Sequence, residues 1–125
     1  LTITAIPVHH PVESVGYLVT KEGRTIAISG DTGPTDEFWK AVNQVADLRA
    51  VFVELSFPND SQWLADVSGH FTPQSLAAEL KKLDKDVPVL LYHLKPAYLP
   101  KLPAGIAALK NPRLRILELD DVFDF

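Results

Sequence analysis

The sequence predicts a layered α/β fold, and three observations support this prediction. Short apolar segments with strand-like patterns alternate along the chain with segments whose apolar residues recur at helical spacing. Two strand-like segments, residues 15–20 and 25–29, are separated by a polar turn that contains a glycine, which indicates a β-hairpin. Several apolar strands end in an acidic residue or a histidine. The length of 125 residues suits one domain with a buried core.

The N-terminal part is predicted to consist of strands only. Residues 1–8 alternate between apolar and polar types and are rich in β-branched side chains, which favours a strand. Pro7 indicates that this strand lies at a sheet edge or ends there. The two strands of the hairpin follow, joined by the turn at residues 21–24. A helix is predicted after Pro34, where Thr35 or Asp36 can cap the first turn. Its buried face is predicted to contain Phe38, Val42, Val45 and Ala46.

The C-terminal part alternates between strands and helices. Residues 50–54 are a continuous apolar run that ends in Glu54, which is typical of a buried central strand. Residues 56–69 are predicted to be irregular. A second helix is predicted from Thr72 as N-cap and Pro73 as first residue, with Leu76, Ala77, Leu80 and Leu83 on its buried face. Strands at 87–92 and 114–119, a short helix at 106–109 and a final strand at 122–125 complete the predicted order.

Composition limits the functions that this chain can have. There is no cysteine, so disulfides and thiolate chemistry are excluded and any metal must be held by histidine and carboxylate. The net charge of −4 does not favour binding to nucleic acid or to an anionic membrane. No apolar run approaches the roughly 18 residues of a membrane span, and no signal peptide is recognised, so a soluble cytoplasmic protein is expected. The chain starts at Leu1 and contains no methionine, which predicts that it is trimmed or belongs to a longer protein.

The centre of the sequence is the run of residues 29–33, Ser-Gly-Asp-Thr-Gly, which follows an apolar strand. Asp31 therefore sits at the C-terminal end of a strand, where α/β sheets commonly hold ligands and metals. Three other strand ends carry His10, Glu54 and His93. Three of these four residues have a simpler interpretation: aspartate and glycine form ordinary turns, His10 next to a proline suits an exposed loop, and Glu54 suits a solvated strand end.

Convergence of these side chains would create a metal site. Histidine and carboxylate suit Zn²⁺, Mn²⁺ or Fe²⁺. An aspartate can bridge two metals, and two metals about 3.5–4 Å apart can clamp a phosphoryl group. His70 precedes the helix predicted to start at Pro73, and a helix N-terminus with free N–H groups suits a phosphate or an oxyanion. The simpler interpretation of His70 is an ordinary loop residue. Trp39 is expected to pack in the core rather than to stack on a substrate.

Five motifs, in order, resemble those of the metallo-β-lactamase fold. They are HPVESVGY at 10–17, SGDTGP at 29–34, ELSF at 54–57, SGHFT at 68–72 and LYHLKP at 91–96. The chain is most similar to the phosphodiesterase branch, which includes class II cyclic-nucleotide phosphodiesterases and the tRNA 3′-end endonuclease ribonuclease Z. The resemblance implies a layered αββα fold, with residues 1–125 as its C-terminal portion, containing a mixed sheet and flanking helices.

The resemblance also implies roles for single residues. His10, Asp31 and His93 match metal ligands of the family, with Asp31 bridging two divalent ions, most simply Zn²⁺. His70 matches a histidine that contacts the scissile phosphate and serves as general acid, and Asp31 also helps to orient the attacking hydroxide. Glu54 falls where the family has an acidic residue behind the site, as a partner for a site histidine. His9 matches no family residue.

The N-terminal signature of the family, His-x-His-x-Asp-His, is absent from this sequence. The metal site of this chain is therefore expected to be incomplete. The implied reaction is hydrolysis of a phosphodiester by a metal-bound hydroxide, with a 3′,5′-cyclic nucleotide as substrate. Two alternatives stay open: a tRNA 3′-end endonuclease of the same fold, and a non-catalytic half-domain that acts as an interaction module. The expected partners are a small phosphodiester, and a second copy of the chain or the missing N-terminal half.

Overall fold

A computed structural model describes all residues from 1 to 125. It contains six strands and four α-helices, together with three short 3₁₀ turns. The strands are β1 (Thr2–Pro7), β2 (Val15–Lys21), β3 (Arg24–Ile28), β4 (Leu48–Glu54), β5 (Val89–Tyr92) and β6 (Leu114–Ile116). The helices are α1 (Glu37–Asn43), α2 (Gln62–Ser68), α3 (Pro73–Glu79) and α4 (Lys101–Ala108).

The six strands form one mixed sheet in the order of the sequence, from β1 to β6. The pairs β1–β2 and β2–β3 are antiparallel, whereas β3–β4, β4–β5 and β5–β6 are parallel. Two successive reversals cancel, so β1 runs in the same direction as β3, β4 and β5. The C-terminal ends of these four strands therefore reach one edge of the sheet. Pro7 is the last residue of the edge strand β1, as the sequence predicts.

The helices cover one face of the sheet. The three parallel connections step in the same direction along the sheet, and they contain α1, then α2 and α3, then α4. Because crossovers between parallel strands are right-handed, these helices lie on the same side of the sheet. Alternate strand residues pack against the helices in a single core. Its fully buried members include Ala27, Val51, Val53 and Leu91 from the strands and Phe38, Val42, Leu76 and Leu102 from the helices.

The opposite face of the sheet is also apolar, but no helix packs on it. Val19, Ile26, Ile28, Phe52 and Leu90 alternate with the core residues, and cross-strand pairs place Ile28 beside Phe52 and Phe52 beside Leu90. The chain end covers part of this second sheet face, because the Phe125 ring meets the Phe52 ring at a centroid separation of 6.1 Å. None of the four helices has the length and the apolar run needed to cross a membrane.

The predicted elements are mostly confirmed, with corrections in the C-terminal half of the chain. Residues 56–69 are not irregular throughout, because α2 occupies Gln62–Ser68. The last short helix, α4, already begins at Lys101 and tolerates Pro103 because the missing N–H falls among the first-turn donors that have no partner within a helix. The predicted final strand at 122–125 is wrong, and β6 ends at Ile116.

The predicted cap of α3 forms, whereas the predicted cap of α1 does not. Thr72 caps α3 as predicted, in a reciprocal capping box with Ser75. Asp36 occupies the cap position of α1 but makes no capping hydrogen bond, because its carboxylate pairs with Lys82 at 2.9 Å. The predicted face of this helix is too long, because α1 ends at Asn43, before Val45.

Candidate functional site

Three side chains that can ligate a metal converge at the C-terminal edge of the sheet. Donor atoms of Asp31, His70 and His93 all lie within 4.8 Å of one another. Asp31 follows β3, His93 follows β5, and His70 follows α2, in the connection between β4 and β5. The His70 side chain is buried, whereas the side chains of Asp31 and His93 are 45% and 35% exposed. The cluster therefore opens to solvent on one side, where a ligand can approach.

The loop that carries Asp31 is held by close backbone contacts. Gly30 has a φ of +63°, and a Cβ at this position would lie 2.5 Å from the Val15 carbonyl oxygen, so only glycine fits without distortion. The Gly33 amide donates to the His9 carbonyl at 2.8 Å. The Thr32 hydroxyl lies 3.2 Å from both the amide nitrogen and the carbonyl oxygen of His9. The segment after β1 is thereby attached to the loop that carries Asp31.

Glu54 is fully buried behind His70. Its Oε1 lies 2.6 Å from His70 Nδ1, and the Thr32 amide donates to the same oxygen at 3.2 Å. Its Oε2 accepts from the Ser56 hydroxyl at 3.0 Å and from the Phe71 amide at 3.4 Å. Four contacts around one buried carboxylate fix its orientation. The site histidine that Glu54 contacts is therefore His70, and the Nε2 of His70 is left available to a ligand.

Ser56 links the two site histidines, a role that was not predicted from the sequence. Its hydroxyl oxygen lies 2.8 Å from His93 Nδ1 and 3.3 Å from His70 Nδ1. A signal was present in the sequence: Ser56 lies two residues after Glu54, and residues at this spacing in an extended chain point to the same side. The contact holds the His93 ring by Nδ1 and leaves Nε2 for a ligand.

His93 adopts an unusual backbone conformation. Its φ of 70° lies in the left-handed region, which costs free energy for any residue other than glycine. The side chain directed by this backbone has Nδ1 3.6 Å from Asp31 Oδ1. Such strain is commonly retained where the position of a side chain is functional.

His10 is near the cluster but outside the group of three. Its ring meets the His70 ring edge-on at a centroid separation of 5.3 Å. Its Nδ1 is buried and has no hydrogen-bond partner. A buried polar atom without a partner requires an explanation, and an absent ligand is one. The role of His10 as a metal ligand stays a prediction.

The predicted phosphate site at the N-terminus of α3 is wrong. The Gln74 amide donates to Asn59 Oδ1 at 2.8 Å, and the Ser75 amide donates to Thr72 Oγ1 at 3.2 Å. Pro73 has no N–H. The helix start therefore offers no free donor to a phosphate.

Tyr92 lies beside the acidic groups of the site. Burial raises the pKa of the Tyr92 phenol, and the negative charges of Asp31 and Glu54 raise this pKa further, although a hydrogen bond with Ser29 acts in the opposite direction. The phenol is therefore neutral over a wider pH range than that of an exposed tyrosine.

The cluster fits a divalent metal ion. One carboxylate and two imidazoles form a nitrogen and oxygen donor set of the kind that Zn²⁺, Mn²⁺ and Fe²⁺ accept. The partnerless Nδ1 of His10 adds a further nitrogen close to the cluster. Glu54 and Ser56 supply the surrounding hydrogen bonds that orient imidazoles at metal centres.

Comparison with known proteins assigns the family. A family model of class-II cAMP phosphodiesterases matches residues 2–120. The chain belongs to this family. A relative from Yersinia pestis, described as a probable 3′,5′-cyclic-nucleotide phosphodiesterase, is 31% identical in an alignment 112 positions long, and the match covers 72% of this chain and 32% of the relative. The class-II family is one of phosphodiesterases, which are hydrolases, so the predicted enzyme class is confirmed at the level of the family.

Solved structures confirm the metallo-β-lactamase fold. The metallo-β-lactamase fold protein YhfI from Bacillus subtilis is 19% identical, has a TM-score of 0.72 and is matched over 93% of this chain and 46% of its own. The short form of human tRNase Z is 24% identical, has a TM-score of 0.61 and is matched over 76% of this chain and 36% of its own. The chain thus spans less than half the length of these relatives. The family implies divalent metal ions.

Proposed function

We propose that this class-II family member forms part of a metal-dependent phosphodiesterase that hydrolyses a 3′,5′-cyclic nucleotide. The observation that carries the proposal is the convergence of Asp31, His70 and His93 within 4.8 Å at one edge of the sheet. Asp31 and His93, together with His10, are proposed to hold two divalent ions, with Zn²⁺ preferred over Mn²⁺ and Fe²⁺. When bound, such ions supply Lewis acidity and lower the pKa of a water molecule.

His70 is proposed to donate the proton to the leaving oxygen. The short contact between Nδ1 and the buried Glu54 carboxylate, at 2.6 Å, fixes the ring with Nδ1–H toward Glu54. Nε2 is then the atom that carries a proton toward the substrate. The buried Glu54 carboxylate holds the ring in this orientation, which is what a positioned general acid requires. His70 also belongs to the group of three donors, so its competing role is that of a metal ligand.

Charge and family support a cyclic nucleotide as substrate. The net charge of −4 does not favour a polyanion such as tRNA, whereas a cyclic nucleotide carries a single phosphodiester charge. The description of the Yersinia pestis relative names 3′,5′-cyclic nucleotides. A tRNA 3′-end endonuclease is the alternative, supported by the fold shared with tRNase Z. The cytoplasmic location stays a prediction.

The apolar second sheet face supports the proposal that residues 1–125 are the C-terminal half of an αββα domain. Ile26, Ile28 and Phe52 are only partly covered there, although they would pack well against another layer. The proposed occupant is the N-terminal half of the domain or, for the isolated chain, a second copy. If no such half completes the site, the same face supports a non-catalytic interaction module. Light scattering of the purified chain separates these cases, because a homodimer favours self-pairing and a monomer contradicts it.

The hydrolysis assay uses the intact protein that carries this chain. With Zn²⁺ or Mn²⁺ supplied, we expect turnover of 3′,5′-cyclic AMP and no cleavage of precursor tRNA. Asp31→Ala is expected to abolish turnover, whereas Asp86→Ala, which changes an exposed aspartate without a partner, is expected to leave it unchanged. Near-normal turnover of Asp31→Ala would refute the proposed mechanism. Cleavage of precursor tRNA in place of the cyclic nucleotide would support the alternative.

A further inference from the structure

The proposed site is rich in negative charge. Asp31 lies at its opening and Glu54 behind it, and the substrate would bring a phosphodiester with one more negative charge. Bound metal ions would offset part of this charge. A positively charged side chain that can reach a phosphate oxygen would offset more, and it would hold the substrate independently of the metal.

Lys95 is a lysine that contacts the surroundings of the site through the Phe57 ring. It follows His93 by two residues, and its ammonium lies over the face of the Phe57 ring, 5.2 Å from the centroid. The same Phe57 ring packs edge-on against the His70 imidazole, with centroids 5.8 Å apart. Phe57 is only 6% exposed, so packing holds its ring in place, in contact with both the Lys95 ammonium and the His70 imidazole.

The ammonium of Lys95 has no acidic partner. It forms no ion pair and no hydrogen bond, although the chain offers many carboxylates. In contrast, Lys82 pairs with Glu79 at 2.6 Å and Lys101 pairs with Asp60 at 2.8 Å. The other cation that lies over a ring, Arg115, is also near a carboxylate, that of Asp121. Lys95 is thus a half-buried charge, held by an aromatic ring and free to accept an anion.

We propose that Lys95 binds a non-bridging phosphate oxygen of the substrate. The aromatic face holds the ammonium near the site without neutralising it, as a carboxylate would. Charge that develops on the phosphate oxygens during hydrolysis strengthens the same contact. This inference rests on the proposed function, because it names the group that receives the substrate's phosphate.

Lysine side-chain NMR on the purified chain tests this inference without turnover. The probe is 3′,5′-cyclic AMP in the presence of a chelator, which prevents metal-dependent hydrolysis. We expect the Lys95 ε-methylene signal to shift during the titration, whereas the signal of Lys81, an exposed lysine without a partner, stays in place. Lys95→Met keeps the apolar stem over Phe57 and removes the charge. It is expected to weaken binding about tenfold to a hundredfold, the range for a charged hydrogen bond.

Two further variants serve as controls. Lys95→Arg keeps the cation and is expected to retain binding, and Lys81→Met is expected to bind like the wild-type chain. Lys95→Met with unchanged affinity, or a Lys95 signal that does not move at saturating probe, overturns the inference. The outcome is independent of the hydrolysis assay. Binding through Lys95 without turnover in the intact protein would refute only the proposed function, and turnover that is insensitive to Lys95→Met would refute only the inference.

Discussion

Replacing Glu54 by glutamine probes the most connected residue of the site. Glu54→Gln keeps the size and shape of the side chain and removes its negative charge. The carboxylate accepts from His70 and Thr32 with one oxygen, and from Ser56 and Phe71 with the other. The glutamine oxygen can serve one of these pairs, whereas its NH₂ group would face the donors of the other pair.

The structure gives the expected magnitude. A hydrogen bond to a charged group contributes about 1.5–3 kcal/mol, and a buried donor without an acceptor costs about 1–3 kcal/mol. The Ser56 hydroxyl can rotate away from the NH₂ group, but the backbone amides of Thr32 and Phe71 cannot. At least one buried donor therefore loses its partner, and we expect Glu54→Gln to lower the free energy of unfolding by about 2–4 kcal/mol.

Urea unfolding followed by circular dichroism measures this loss. Glu13→Gln is the matched control, because Glu13 is exposed and makes no hydrogen bond or ion pair with its side chain. The control is expected to change the free energy of unfolding by less than about 0.5 kcal/mol. If Glu54→Gln were as stable as the control, the buried network would not contribute as described, and the reasoning would be refuted.

Three further predictions concern the surroundings of the site. Ser56→Ala removes the contact with His93 Nδ1 and is expected to weaken Zn²⁺ binding about 10-fold to 100-fold in a competition titration, and unchanged affinity would contradict this. Gly30→Ala places a methyl group against the Val15 carbonyl oxygen and is expected to lower the free energy of unfolding by more than about 2 kcal/mol in urea. The control Gly23→Ala, at a residue with a similar positive φ but open space around it, is expected to cost only about 1 kcal/mol. Because the pKa of Tyr92 is raised, the folded chain holds the phenol proton more tightly than the unfolded chain does. The resulting contribution to stability is complete below the pKa of the unfolded chain, about 10, and is lost as the pH rises through the pKa of the folded chain. Tyr92→Phe is expected to show a smaller loss of stability above pH 10 than the wild-type chain, and an identical alkaline decline would argue against this.

The sequence was sufficient to place β1 to β5 and to find the residues that follow three of these strands at the sheet edge. Asp31, Glu54 and His93 each follow an apolar run, and parallel strands bring such ends together. The two reversals of the hairpin restore the direction of β1, so the segment that carries His10 also leaves the sheet at this edge. The histidine that Glu54 contacts could not be predicted, because the positions of strand ends do not show which histidine lies next to which acidic residue.

The structures of α2, α4 and the segment at 122–125 depend on tertiary contacts that cannot be predicted from the local sequence. Helix α2 was missed because residues 56–62 are polar and rich in turn formers, although Gly69, with a φ of +71°, is a typical helix end. Gly105 weakens the pattern of α4, yet a Cβ there would lie 2.8 Å from Pro73, so it allows α4 to pack closely on α3. The segment at 122–125 has strand-forming residues but no neighbouring strand, and its Phe125 packs on Phe52 instead.

Metal binding by the purified chain tests the central claim most directly. Elemental analysis after equilibration with Zn²⁺, followed by removal of free ions, is expected to give about one ion per chain, because three donors already lie within reach of one another. Asp31→Ala and His93→Ala are each expected to lose this ion, whereas Asp86→Ala retains it. Absence of bound metal, or equal metal content in all these variants, would contradict the assignment of this sheet edge as the metal centre of a phosphodiesterase.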